Sequence, residues 1–133
     1  MALRITTHDG KEPVTVQDRN QLNAVLEAAS EEARAKNLLS VVILYAEDGN
    51  SITMVVGGSE TVLDFKYGHL HPPYYASKGE TDDDEPILTC FLTFQHHTEF
   101  PRRSVIPYEN GMNAVAEFLD SGKLPSCIDW EES

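Results

Sequence analysis

Basic residues are scarce in this sequence. Ten lysines and arginines stand against 22 aspartates and glutamates, for a formal net charge of −12. That shortage argues against direct binding of nucleic acid or an anionic membrane, since phosphates are held by Lys and Arg, and against an acidic substrate. Long apolar runs are lacking too: none approaches the roughly 20 residues that span a bilayer. The opening Met1-Ala2-Leu3-Arg4-Ile5 alternates like a strand and has no apolar block of a secretory signal. A soluble, cytoplasmic protein is expected. The two cysteines, Cys90 and Cys127, are too few and too far apart for a disulfide framework. Cys90 lies in the apolar run Ile87-Leu88-Thr89-Cys90-Phe91-Leu92 and reads as an inert buried thiol.

Signatures of catalysis are missing as well. There is no Cys-x-x-Cys, His-Glu-x-x-His or helical His-x3-His pattern for a metal. No Gly-x-Ser-x-Gly elbow presents a nucleophile, and no glycine-rich loop opens a helix to cradle a phosphate. A pair of carboxylates for acid–base chemistry could be drawn from any of the 22 acids, so that pattern carries no information. Five histidines are present, with His69 and His71 two apart and His96 beside His97. A zinc site from these pairs is conceivable, but neighbours in a strand point to opposite faces, and surface histidines are the simpler reading. No enzyme, catalytic residue, metal or cofactor is expected.

What is present fits one domain over residues 1–133, with a hydrophobic fraction of 41% that suits a globular core. The alternation predicts a strand over residues 2–7, a turn at Asp9-Gly10, and a return through Val14-Thr15-Val16. Asp18 is placed to cap a helix running to about Lys36, with Leu22, Val25, Leu26, Ala29 and Ala33 on one face and Asn37 as its stop. Leu38 to Tyr45 reads as a central strand buried on both faces. Ile52–Val56 and Val62–Tyr67 complete an antiparallel meander. Residues 68–86 break the pattern and read as a long loop, Ile87–Phe94 as a strand, and Gln95–Pro101 as a connection towards Ser104-Val105-Ile106. A second helix begins near Asn110-Gly111, carries Met112, Val115, Phe118 and Leu119 on one stripe, and ends at Gly122. A short strand follows in the tail. The class expected is α+β: a mainly antiparallel sheet of about six strands with two helices packed on it.

Two segments stand out as contact candidates. The run Asp82-Asp83-Asp84-Glu85 is read first as a solvated loop; its spacing is not that of an EF-hand. It would also suit presentation of carboxylates to a basic groove, speeding encounter by electrostatic steering. Tyr74 and Tyr75 precede it, as interface anchors or as a lid over the sheet. Trp130, the only tryptophan, reads as a seam between sheet and helix, followed by Glu131 and Glu132 at the chain end.

The stretch Ala114-Val115-Ala116-Glu117-Phe118-Leu119-Asp120-Ser121-Gly122-Lys123-Leu124-Pro125, followed by Ile128-Asp129-Trp130-Glu131, resembles the ending of the first immunity-protein family of bacterial polymorphic toxin systems. Its pattern there is a helix reading A-x-x-E-F-L-x-x-G, a proline, then a tryptophan with an acid behind it. Tyr74-Tyr75-Ala76-Ser77-Lys78-Gly79 before an acidic loop is similar to actinobacterial members. The resemblance covers roughly residues 60–132 and, more weakly, the first half. It implies an α+β antitoxin, encoded beside a toxin and neutralising it by tight binding in the producing cell, with no catalytic residue. It also implies a toxin of the nucleic-acid deaminase superfamily, such as a cytosine deaminase, whose base pocket lies in a basic substrate channel. Tyr74, Tyr75, Asp82, Asp83, Asp84, Glu85, Glu131 and Glu132 are the partner-binding candidates. Two other readings stay open: a metal-binding module or metal-dependent enzyme using the histidines, and an acidic inhibitor of a nuclease or another basic protein.

Overall fold

The computed structural model describes residues 2–7, 12–80, 86–93 and 96–132, with the backbone alone for 86–93 and 96–98. The chain starts with β1 (Leu3–Thr7) and β2 (Val14–Val16), an antiparallel pair. The Asp9-Gly10 turn lies outside the described residues. Helix α1 (Arg19–Ala35) starts where expected, because the Asp18 carboxylate accepts from the Gln21 N–H at 2.8 Å and satisfies one of the free donors of the first turn. Its buried residues Leu22, Leu26, Ser30 and Ala33 recur every three to four positions. Asn37, at φ 56°, ends it.

Strand β3 (Leu39–Tyr45) is central, as its apolar run requires. One edge pairs antiparallel with β4 (Ser51–Val56). The other edge is divided. Val42 to Tyr45 pair with β1, whereas Leu39 and Ser40 run parallel to a later strand through Cys90 and Phe91. The stretch Val62–Tyr67 holds one strand, β6 (Leu63–Lys66), antiparallel to β4 as expected, and a two-residue strand, β5 (Glu60–Thr61), precedes it. β5 lies outside the main sheet, and the buried Thr61 hydroxyl ties it to β4 by donating to the Val55 carbonyl at 2.7 Å.

Residues 68–86 are not an unbroken loop, because they contain β7 (Tyr75–Ser77), which pairs with β6. Likewise, Gln95–Pro101 is not a mere connection. After β8 (Pro86–Thr93) the chain returns as β9 (His96–Pro101) in a hairpin. A single 3₁₀ turn, Arg102–Ser104, and β10 (Ile106–Pro107) follow, the latter pairing with β5. Helix α2 (Tyr108–Ser121) begins earlier than Asn110 and ends at Gly122, whose φ of 69° favours glycine. Its approach to the sheet is close at Gly111, where a Cβ would lie 2.5 Å from the Thr61 methyl. The tail closes as β11 (Trp130–Glu132) against β7.

Among the described residues nine strands form the main sheet, with the path β11-β7-β6-β4-β3-β1-β2 and the β8–β9 hairpin branching from β3. The fold is α+β with a large antiparallel sheet and two helices, as expected, and with more than six strands. One sheet face is covered by the helices, with Leu44, Ile52, Met54 and Phe65 packed against Leu26 and Phe118. Each such side chain, fully withdrawn from water, stabilises the fold by about 1.5–3 kcal/mol. The opposite face carries a smaller cluster, Val41, Val55 and Val62 beneath Phe100 and Val105. That cover comes from the end of β9 and the segment Arg102–Val105, which cross this face as a strap. Among the described residues no helix is long and apolar enough to cross a membrane.

Candidate partner-binding cleft

The period-2 alternation of β6 determines what faces the strap. Leu63 and Phe65 turn into the helix-covered core, so Asp64 and Lys66 turn to the opposite face. Register then carries a row across three strands: Asp64 lies opposite Ala76 of β7, and Ala76 opposite Glu131 of β11. The strap stands over this row and leaves an open cleft of about 580 Å³ beside it. Four carboxylates line it, from Asp64, Glu99, Glu131 and Glu132, against two cations, Lys66 and Arg103. Tyr74, Tyr75 and Leu70 contribute aromatic and apolar surface.

Burial pushes the Asp64 carboxyl above the ordinary carboxylate range, and the nearby Lys66 ammonium pulls it only part of the way back. A half-buried carboxylate of this kind is held at a desolvation cost that a cation entering the cleft would relieve. Arg103 reaches Glu131 at 3.7 Å, with both side chains substantially exposed, so this pair ties the strap to β11 only weakly. The Lys66 ammonium lies 5.9 Å from the Tyr74 ring centroid.

The strap is fixed mainly by buried hydrogen bonds. The Ser77 hydroxyl is fully buried; it accepts from the Leu63 N–H at 3.0 Å and donates to the Ser104 carbonyl at 2.7 Å. The Gly79 N–H donates to the Arg103 carbonyl at 2.6 Å. A Cβ on Gly79 would collide with the Val105 carbonyl oxygen, so glycine is required for this close backbone approach.

The fold brings together four of the residues singled out in the sequence. Tyr74, Tyr75, Glu131 and Glu132 line one cleft. They do so unequally. Tyr75 also packs on the main core and meets Tyr67 edge-on at 6.4 Å, so it serves as a lid as well. Asp82, Asp83, Asp84 and Glu85 lie outside the described residues. Sequence reasoning missed Asp64, Glu99 and Arg103; the alternation Leu63-Asp64-Phe65-Lys66 was the available signal for Asp64. Trp130 packs on the helix-covered core. Its indole N–H donates to the Pro125 carbonyl at 2.7 Å, and its ring meets Phe65 edge-on at 6.3 Å. It is a seam residue.

The histidine pair at 69 and 71 forms a stack. His69 lies on Tyr67 at 5.4 Å and on His71 at 5.7 Å, and its Nδ1 accepts from the His71 N–H at 2.9 Å. The side chains of His96 and His97 lie outside the described residues. Among the described residues, no three His, Cys, Asp or Glu side chains group as metal ligands. Cys127 is a free, exposed thiol.

No curated protein matches the chain. The family model described as Immunity protein Imm1 matches residues 10–132. The match therefore reaches well beyond the tail that carries the resemblance, into β2, α1 and the central strands. The chain belongs to the Imm1 family of immunity proteins, and its partner is a toxin.

Proposed function

We propose that this immunity protein neutralises a nucleic-acid deaminase toxin, of the kind that acts on cytosine, by laying its acidic cleft face over the toxin's basic substrate groove. It does so without catalysis, as a single domain in the cytoplasm of the producing cell. The observation that supports this reading is the gathering of Tyr74, Tyr75, Glu131 and Glu132 with Asp64 and Glu99 on one open sheet face. The chain's −12 charge supports the same partner chemistry, because a toxin that holds single-stranded nucleic acid needs a positively charged channel. Acids facing such a channel steer encounter and deny phosphates their cations. The run Asp82-Asp83-Asp84-Glu85 adds four acids to that charge.

The test uses the toxin domain encoded beside this chain. Deamination of single-stranded and duplex DNA is measured with and without the immunity protein, along with association rates at several salt concentrations. The expected outcome is loss of deamination at a one-to-one ratio, with association slowed by salt. Replacing Glu131 and Glu132 with glutamine should slow association and flatten its salt dependence. A toxin domain that cuts nucleic acid and does not deaminate it would replace the deaminase with a nuclease. Undiminished toxin activity at excess immunity protein would end the proposal.

A further inference from the structure

Leu70 sits on the rim of the cleft in a conformation that leucine disfavours. Its φ is 63°, in the left-handed region where Gly and Asn are at home and a branched side chain is strained. The other non-glycine residue at positive φ among the described residues is Asn37, a residue type suited to it. Leu70 is also 69% exposed, the larger value of the two exposed large hydrophobics among the residues whose side chains are described, the other being Val14 at 46%. An exposed leucine alone means nothing. A leucine that is both strained and exposed is different, since neither the local backbone nor the core accounts for the choice.

The surrounding loop is braced. The Leu70 N–H donates to the Tyr67 carbonyl at 3.0 Å, and the Tyr74 hydroxyl donates to the Leu70 carbonyl at 3.1 Å. The Gly68 N–H donates to the Asn50 side chain at 2.9 Å, and Asn50 in turn holds the Gly122 carbonyl at 2.9 Å. The His69–His71 stack flanks the leucine. The backbone is thus ordered before any partner arrives, which removes much of the ordering cost of an interface.

We infer that Leu70 is the apolar anchor of the toxin interface: the braced loop holds its side chain outward beside the cleft, for insertion into an apolar pocket whose surround is basic. The basic surround follows from the excess of acids on the same cleft, Asp64, Glu99, Glu131 and Glu132 against Lys66 and Arg103. The inference rests on the cleft face being the toxin-binding face. The acids govern encounter, and the leucine governs residence time.

The test replaces Leu70 with asparagine, which accepts the left-handed conformation and removes the apolar group, and separately with glycine. Val14→Asn, at the far edge of the sheet, is the control. Each full-length variant is measured for melting temperature and for binding to the toxin domain encoded beside it. Leu70→Asn and Leu70→Gly should melt at or above the wild-type temperature, yet release the toxin roughly tenfold faster or more, with association unchanged. Val14→Asn should bind as wild type. Wild-type dissociation in Leu70→Asn overturns the anchor, as does a lowered melting temperature in both Leu70 variants, which would mean the side chain serves the fold. Glu131→Gln with Glu132→Gln separates the two readings. Slowed association there beside normal release in Leu70→Asn leaves the acidic face and removes the anchor. The reverse pattern leaves the anchor and removes the acidic face.

Discussion

Replacing Ser77 with alanine removes one oxygen from the protein and, with it, the two hydrogen bonds through which this side chain joins the strap to the sheet. The hydroxyl is fully buried and serves two backbone groups, the Leu63 N–H at 3.0 Å and the Ser104 carbonyl at 2.7 Å. In the alanine variant both would be left in a site closed to water. An orphaned buried donor or acceptor costs about 1–3 kcal/mol, so two of them cost about 2–6 kcal/mol before the strap relaxes. Allowing for partial relaxation, about 3 kcal/mol is expected. The unfolding entropy of 133 residues is about 280 cal/mol/K, so the melting temperature should fall by about 10 °C. Thermal unfolding followed by circular dichroism reads this directly. Ser126→Ala is the matched control: it loses the hydroxyl bond to Glu117 at an exposed position and keeps the backbone one, and its melting temperature should move by no more than about 2 °C. A Ser77→Ala variant that melts like Ser126→Ala would refute the claim that this hydroxyl holds the far wall of the cleft.

The remaining predictions concern the tail and the carboxylate on the cleft floor. Trp130→Phe keeps the ring against Phe65 but loses the indole bond to the Pro125 carbonyl; chemical denaturation should show a loss of about 1 kcal/mol, while the toxin-release rate stays at the wild-type value. Burial raises the Asp64 carboxyl above its ordinary value, so the folded protein keeps that proton to higher pH than the unfolded chain does. Stability therefore falls as pH rises from the ordinary carboxylate value through the raised one, and Asp64→Asn should flatten this slope in pH-dependent denaturation and be the more stable form at neutral pH. A cationic partner favours ionised Asp64, so toxin affinity in titrations should rise with pH across the same window, and should not do so in Asp64→Asn.

The periodic parts of the fold were legible because periodicity reports burial directly. Leu22, Leu26 and Ala33 announce α1, and the run through Val41, Val42 and Leu44 announces the central strand. Strands β7 and β9 were not legible. Tyr75-Ala76-Ser77 is too short to display a period, and it is a strand because β6 and β11 offer it partners on both sides. His96-His97-Thr98-Glu99 has no apolar alternation and is a strand because the chain folds back there along β8. The short β5 ahead of Val62 was not legible either, because Thr61 pairs with β10, a partner far along the chain. The cleft was half legible. Tyr74, Tyr75, Glu131 and Glu132 stood out by composition, yet nothing local says that β7 and β11 are neighbours. Asp64 looks in sequence like any outward-facing acid of an alternating strand; the strap that buries it comes from Arg102–Val105. Leu70 is invisible without the backbone angle, since leucine in a loop carries no mark of strain.

The most direct test of the acidic cleft as the toxin-binding face is amide hydrogen exchange of the immunity protein, alone and saturated with its toxin domain. The account predicts that protection on binding concentrates in Asp64–Ser77, Glu99–Ser104 and Trp130–Glu132, the segments that build the cleft and its rim, while the solvent-facing turns of α1 and α2 exchange as in the free protein. Protection confined to α1 and α2, with these segments unchanged, would contradict it.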